Sequence, residues 1–375
     1  MKRCKILIAL CILALFLLVT ATVYAKEELG HTTEEEKNEH PAEGKKILVT
    51  EEKQTIEKII VDKNNKAAYN SIQDAINNAP SGSTIYVRNG YYNEILNIKK
   101  KIKLVGEDKE KTIINPASTK NSYAIRIAAE NVILKEFGIK NSGPGNYASG
   151  IKISADKTTI TDCNIFDTPV GIAVWSSNNK ISNCKFWGCS DEGIAFLGSS
   201  SNQCNNNIVT DCEFYDNCDG IELQYSSNNI ISNCKFYDNT HAGIDAIGSS
   251  NNNNVISGCD LSNNKAFGIF FSRSADNTIS KCTFSENKIM ATASKNIKVE
   301  NCELDGIYLK DKSSMTIEDC GNVLESKIKT VDSDYVLSSV EEIKTRFDSL
   351  QEKRDTIRNS IFLRIMPILS FIRSI

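Results

Sequence analysis

Histidine is nearly missing from this chain of 375 residues: there are three, and only His241 lies beyond position 40. That scarcity excludes the histidine-rich clusters that hold catalytic zinc or copper, and four methionines in all add no recognisable copper site. Thirteen cysteines are present, yet no two are spaced Cys-x-x-Cys, so paired-thiolate zinc sites are excluded as well. The formal net charge is only -3, and no basic cluster is interleaved with aromatics, which argues against nucleic acid as a partner. The apolar stretch at 361–375 is interrupted by Arg364, Pro367 and Arg373 and is short for a membrane span.

What is present is a repeat. Gly-Ile steps fall at Gly150, Gly171, Gly193, Gly220, Gly243, Gly268 and Gly306, and cysteines at Cys163, Cys184, Cys212, Cys234, Cys259, Cys282, Cys302 and Cys320. Most intervals are about 20 to 28 residues, too short for two helices and filled with short apolar runs between Gly, Ser and Asn. Each unit therefore reads as one coil of a β-solenoid, which buries its apolar side only by stacking on its neighbours. With 41% hydrophobic and 24% charged residues, the chain can supply one large domain of this kind.

Within Gly220-Ile221-Glu222-Leu223-Gln224, alternation sends Ile221 and Leu223 inward and Glu222 and Gln224 outward. Downstream, Ile231, Cys234 and Phe236 reach the core together only if the chain bends at Ser232-Asn233. Ser182-Asn183, Thr210-Asp211 and Ser280-Lys281 predict the same corner in other coils. Asn178-Asn179, Asn228-Asn229 and the run 251–254 suggest Asn ladders at the surface or corners. The cysteine column reads as small buried thiols that pack as hydrophobes. Cys189, Cys204 and Cys218 lie outside it, and a Cys189–Cys218 disulfide stays open.

The ends differ from the repeats. Lys2, Arg3 and Lys5 precede an apolar run at 6–19 and small residues near Ala25, the pattern of an export signal at 1–25 or of a retained N-terminal anchor. Residues 26–57 are charged and acidic and read as a flexible spacer. Asn70 or Ser71 caps a short helix with Ile72, Ala75, Ile76 and Ala79 on its buried side, a lid for the first coil. Val336, Val340, Ile343, Phe347, Leu350 and Ile357 follow helical spacing, which predicts a C-terminal amphipathic helix within 329–375. This segment either folds back over the last coil or meets a membrane surface or a second copy.

The block Ser71-Ile72-Gln73-Asp74-Ala75-Ile76, followed by Thr84-Ile85-Tyr86-Val87, Gly90-Tyr91-Tyr92-Asn93-Glu94 and Leu104-Val105-Gly106, resembles the opening of right-handed parallel β-helix proteins of the pectin-lyase-like superfamily. The resemblance implies an all-β, right-handed parallel β-helix over 58–328, with an N-terminal capping helix and a C-terminal amphipathic helix. It leaves activity open, because such repeats serve esterases, lyases, epimerases, surface binding proteins and a copper-site accessory protein. Phe166-Asp167-Thr168-Pro169 and Asp191-Glu192-Gly193 echo a pectinesterase motif. That echo implies Asp167 as acid and Asp191 as nucleophile, although the motif's preceding Gln is Phe166 here and its Gly-Arg-Pro-Trp segment is absent.

Geometry alone gives a second candidate. On neighbouring coils Glu222 and Asp245 become outward neighbours ~5 Å apart in Cα, with Asp219 and His241 just before the same strands. Two such carboxylates repel unless one is protonated or a cation intervenes, so Asp219, Glu222 and Asp245 are the candidate Ca²⁺ ligands. Trp175 and Phe270 on flanking coils can stack on sugar rings, and Gln224 completes the carbohydrate-binding set of Trp175, Glu222, Gln224, Asp245 and Phe270. The leading expectation is an exported protein that binds polysaccharide or glycoconjugate along its flank without strong catalysis. The alternatives are a polysaccharide-modifying esterase or lyase, and a structural or copper-accessory protein.

Overall fold

The computed structural model describes residues 58–338, apart from 65, 117–122, 141, 144–147 and 322–326. Three parallel sheets of 13, 11 and 9 strands run the length of this region, and they are called A, C and B below. The coils from Thr84 to Thr292 each give one strand to each sheet in the order A, B, C, as in Ile230–Ser232, Lys235–Tyr237 and Ala242–Ala246, and the coils after them supply sheets A and C alone. Every strand pairing is parallel, and equivalent residues stack: Ile151, Ile172, Ile194, Ile221, Ile244 and Ile269 form one inward column of sheet C. These isoleucines are fully buried, each worth ~2 kcal/mol of apolar transfer. Phe186, Phe214 and Phe236 stack face to face behind sheet B at 4.7 and 4.8 Å between centroids.

The corner between sheets A and B is two residues long, and the first of them is left-handed. Asn183, Asp211, Asn233 and Lys281 have φ of 53°, 56°, 53° and 54°, at the positions where the sequence demands a bend. Asn and Asp tolerate this region better than other side chains. Immediately after the left-handed residue comes the cysteine column, whose members from Cys163 to Cys302 are buried free thiols. Cys189, Cys204 and Cys218 are also free thiols, so no Cys189–Cys218 bridge is formed.

A second bend lies at the Gly-Ile step between sheets B and C. A Cβ on Gly220 would lie 2.5 Å from both the Gly243 carbonyl oxygen and Phe236 Cδ1, distances that no side chain can occupy. Glycine is required there because backbone and aromatic stack close on each other. The connection from sheet C back to sheet A, by contrast, varies in length. It joins Val174 to Lys180 in one coil and Leu197 to Ile208 in the next.

Asparagine ladders form, but inside the coil rather than on its surface. Asn179, Asn207, Asn229, Asn254 and Asn277 are at most 1% exposed, and each of the first four donates its backbone N–H to the Oδ1 of the next. A second ladder, Asn217, Asn239, Asn264 and Asn287, does the same at the corner after sheet B. These amides satisfy the backbone groups that the corners would otherwise bury unpaired.

At the N-terminal end, helix α1 (Ile72–Asn78) buries Ile72, Ala75 and Ile76, and Ser71 Oγ accepts the Asp74 N–H. Glu94 completes the cap by accepting from the Ile72 and Gln73 N–H groups at 3.0 and 2.9 Å. At the other end the strands continue past 328. Ile328–Val331 pairs with Ile307–Lys310, and Asp334–Ser338 pairs with Ser314–Glu318. Val336, expected on a helix, is therefore in a strand, because ladder partners outweigh helical spacing there. The proposed leader at 1–25, the spacer at 26–57 and the helical positions from Val340 onward lie outside the described residues. Among the described residues no helix is long and apolar enough to cross a membrane.

Candidate functional site

Three successive coils place an acidic group on the outer face of sheet C. Strand Glu192–Leu197 brings Glu192, strand Asp219–Gln224 brings Asp219, Glu222 and Gln224, and strand Ala242–Ala246 brings Asp245, with His241 just before it. The register sets Glu192 opposite Asp219 and Glu222 opposite Asp245. Strict alternation would not let residues 219 and 222 share a face. The bend at Gly220 does, turning the residue before the glycine outward. Glu192, which the sequence reading left out of the group, precedes Gly193 as Asp219 precedes Gly220, and that shared position is the signal that could have found it.

These four carboxyl groups are withdrawn from water, with residue exposures of 6% for Glu192 and Asp219, 8% for Glu222 and 4% for Asp245. Burial is the largest effect on each and disfavours the charged form. It pushes Asp245 up to about 8, with Asp219 and Glu222 adding to the shift. Asp219 is raised less, because the adjacent His241 and the Ala242 N–H favour its ionised form. His241 Nδ1 lies 2.9 Å from Asp219 Oδ1, which also accepts the Ala242 N–H at 2.7 Å.

Glu192 and Glu222 stand on paired strands of sheet C and are close enough to perturb each other's titration. Burial and the neighbouring charges of Glu222 and Asp191 keep Glu192 protonated far above the usual carboxylate range. Gln224 Nε2 donates to Glu222 Oε1 at 2.5 Å and fixes the acceptor.

The aromatics flank this group along the solenoid axis. Trp175 is 39% exposed, with Lys152 Nζ 5.4 Å from its ring centroid. Phe270 is half-buried beside Phe267, with centroids 5.6 Å apart. The registry puts four coil steps between them, ~19 Å at ~4.8 Å per step. Between Trp175 and the acids, Val170, Ala173, Ala195 and Leu197 make a small buried apolar group on the same outer face.

The esterase-like pair is not in register. Asp191 donates its N–H to the Pro169 carbonyl at 2.9 Å and adjoins Glu192 at the edge of the acidic group. Asp167 lies two residues before Pro169, at a left-handed corner (φ 49°), with its side chain 54% exposed and ion-paired to Lys140 at 3.2 Å. The structure brings Asp191, Asp219, Glu222 and Asp245 together and leaves Asp167 on another edge. Of the candidate cation ligands, Asp219 and Asp245 converge with His241, within 4.8 Å of one another. Glu222 is engaged by Gln224 instead.

Stacked parallel coils in three parallel sheets, with an acidic group on the outer face of one, define a parallel β-helix protein. The chain belongs to the right handed beta helix region family, whose profile matches residues 102–255 and 209–322. Among curated proteins it is similar to pectinesterase/pectinesterase inhibitor 18 of Arabidopsis thaliana, 28% identical over 123 residues, 28% of this chain and 22% of that protein. The chain spans about a quarter of the length of the curated relatives it matches. Among solved structures it is similar to the A-module of an Azotobacter vinelandii mannuronan C-5 epimerase, with TM-score 0.55 at 13% identity over 72% of this chain and 90% of that one. The catalytic domain of a GH87 alpha-1,3-glucanase is similar at TM-score 0.52 and 15% identity, over 76% of this chain and 66% of that one. At these identities the structural likeness speaks for the fold alone.

Proposed function

We propose that the chain is a polysaccharide-modifying enzyme that works by carboxylate acid–base chemistry on the outer face of sheet C. The observation that carries this reading is the group of four buried carboxyls, Glu192, Asp219, Glu222 and Asp245, set side by side on paired strands of sheet C. The passive glycan binder that the sequence favoured explains it less well. A binding surface gains nothing from four carboxyls held out of water at a cost in free energy, whereas perturbed acids of this kind suit general acid and base work. The similarity to a pectinesterase supports the same choice.

A glycan laid along the axis matches the ladder, because its ~5 Å residue repeat is close to the ~4.8 Å coil step. Trp175 and Phe270 hold sugar faces on either side. In an elimination, an ionised carboxylate of the group, Glu222 or the His241-supported Asp219, takes the proton α to the sugar carboxyl, a C=C bond forms, and Glu192 gives its proton to the departing glycosidic oxygen; in a hydrolysis the same carboxylate takes a proton from the water that attacks the sugar carbon. Ester cleavage is a second reading, favoured by the pectinesterase similarity, with Asp191 as nucleophile. We further read the protein as exported, on the signal-like residues 1–25, with polysaccharide outside the cytoplasm as its partner.

The test is turnover of pectin, alginate and α-1,3-glucan, scored by new reducing ends, unsaturated products and released methanol. Glu192→Gln and Glu222→Gln are each expected to lower kcat by ~10²-fold or more with little change in KM. Tight glycan binding without turnover of any substrate by the wild-type protein would restore the binder. Full activity in Glu192→Gln would remove the proposed acid.

A further inference from the structure

Asp245 Oδ1 is a buried carboxylate oxygen with no hydrogen-bond partner, on a side chain only 6% exposed. A polar atom in that position has lost water and gained nothing in return. It sits in the one group of three among the described residues whose ligand atoms converge, Asp219, His241 and Asp245, all within 4.8 Å. His241 Nδ1 is 2.9 Å from Asp219 Oδ1 and 3.7 Å from Asp245 Oδ2.

We propose that these three side chains form a site for a first-row divalent cation of the manganese-to-zinc series, and not the all-oxygen calcium site expected from sequence. With metal–ligand bonds of ~2.0–2.2 Å, tetrahedral donors lie ~3.3–3.6 Å apart, and the two His241 separations straddle that range. Calcium prefers six to eight oxygens at longer range, and an imidazole nitrogen suits the borderline ions better. The donors are preorganised. Asp219 and Asp245 stand on paired strands of sheet C, and the Ala242 N–H orients Asp219 from behind. The His241 side chain is 41% exposed, which leaves a path for the ion and open coordination positions on the outer face. Glu222, tied to Gln224, stays outside the ligand set.

The inference rests on the same acidic group as the catalytic reading and assigns it a second component. Manganese is the right probe, because the thirteen cysteines bind it poorly compared with zinc. Chelator-stripped full-length protein is titrated calorimetrically with Mn²⁺ and with Ca²⁺, without glycan, and Co²⁺ absorption reports the donor atoms. One Mn²⁺ per chain is expected, with binding weakened tenfold or more in His241→Ala and in Asp245→Asn and changed less than threefold in Glu222→Gln. Ca²⁺ is expected to bind at least tenfold more weakly than Mn²⁺ and to ignore His241→Ala. Circular dichroism checks each fold, and His241→Asn, which keeps a polar side chain, replaces any alanine variant that misfolds. No stoichiometric Mn²⁺, Ca²⁺ the tighter ion, thiolate bands with Co²⁺, or equal losses in Glu222→Gln and His241→Ala would each overturn the site. Turnover without metal binding would sink this inference alone, and metal binding without turnover would sink the catalytic reading alone.

Discussion

Replacing Asn229 by alanine tests whether the buried amide ladder holds the coil together. Asn229 Oδ1 accepts from the Asn207 N–H at 2.8 Å and from Asn207 Nδ2 at 3.1 Å. Its Nδ2 donates to the Cys204 carbonyl at 3.2 Å and to Asn254 Oδ1 at 3.1 Å. After truncation Asn207 Nδ2 keeps the Ser176 carbonyl and Asn254 Oδ1 keeps the Asn229 N–H. The Asn207 N–H and the Cys204 carbonyl lose the partner that the amide supplied. At ~1–3 kcal/mol per buried group left unpaired, the expected loss is ~2–6 kcal/mol. Asn229 itself has no left-handed backbone, unlike Asn228 at φ 58°, so the substitution tests the amide without adding strain. Asn229→Asp keeps the acceptor but turns a carboxylate oxygen toward two other oxygens. It is expected to cost more than alanine at neutral pH and to recover as the acid protonates. Urea unfolding gives the loss, and hydrogen exchange places it, because solenoid stability depends on adjacent coils and the Asn207 amide should open first. An alanine variant within ~0.5 kcal/mol of wild type, with Asn207 still protected, would refute the reasoning.

Chelator-treated protein should be more stable near pH 4 than near pH 8. The folded state holds the Asp245 proton up to about 8 against an ordinary 3.8, and Glu192, Asp219 and Glu222 are raised too. A raised folded value gives stability that is whole below the unfolded pKa and is lost as pH climbs through the folded one. Asp245→Asn should therefore raise Tm at pH 8, by ~1–3 kcal/mol of stability after solvent relaxation, and leave it unchanged at pH 4; equal effects at both pH values would contradict this. Native-state alkylation followed by peptide mass mapping should modify half-buried Cys218 well before Cys163 and Cys184, whose thiols burial pushes far up. Trp175→Ala and Phe270→Ala should raise KM on an active glycan ~10-fold, with a smaller effect on kcat; unchanged KM would remove them from the site.

The period of Gly-Ile and Cys made the coil legible, because stacking repeats one environment many times and each repeat reports the same constraint. The bend at Asn233 was legible for a related reason: Ile231, Cys234 and Phe236 cannot reach one core otherwise. Glu192 was hidden by the assumption of strict alternation, which fails at Gly193 where strand direction changes. The Asn ladders were visible as composition, but their burial was not, since only the corner geometry sends those amides inward. Val336 misled because isolated apolar residues at the end of a ladder have no neighbouring repeat to set their period. Which carboxyl keeps its proton depends on burial and on partners one coil away in sequence, which no local pattern records.

The two kinds of corner divide labour between permanence and novelty. A two-residue joint between sheets A and B admits no extra chain, so length changes there would dislocate every layer above. The return from sheet C to sheet A has already absorbed a longer excursion after Leu197, beside the outer face that carries the acids. Segments grafted at that margin can reshape what borders this face while the spring beneath keeps its pitch, which makes it the natural place to retarget the protein to a different polymer.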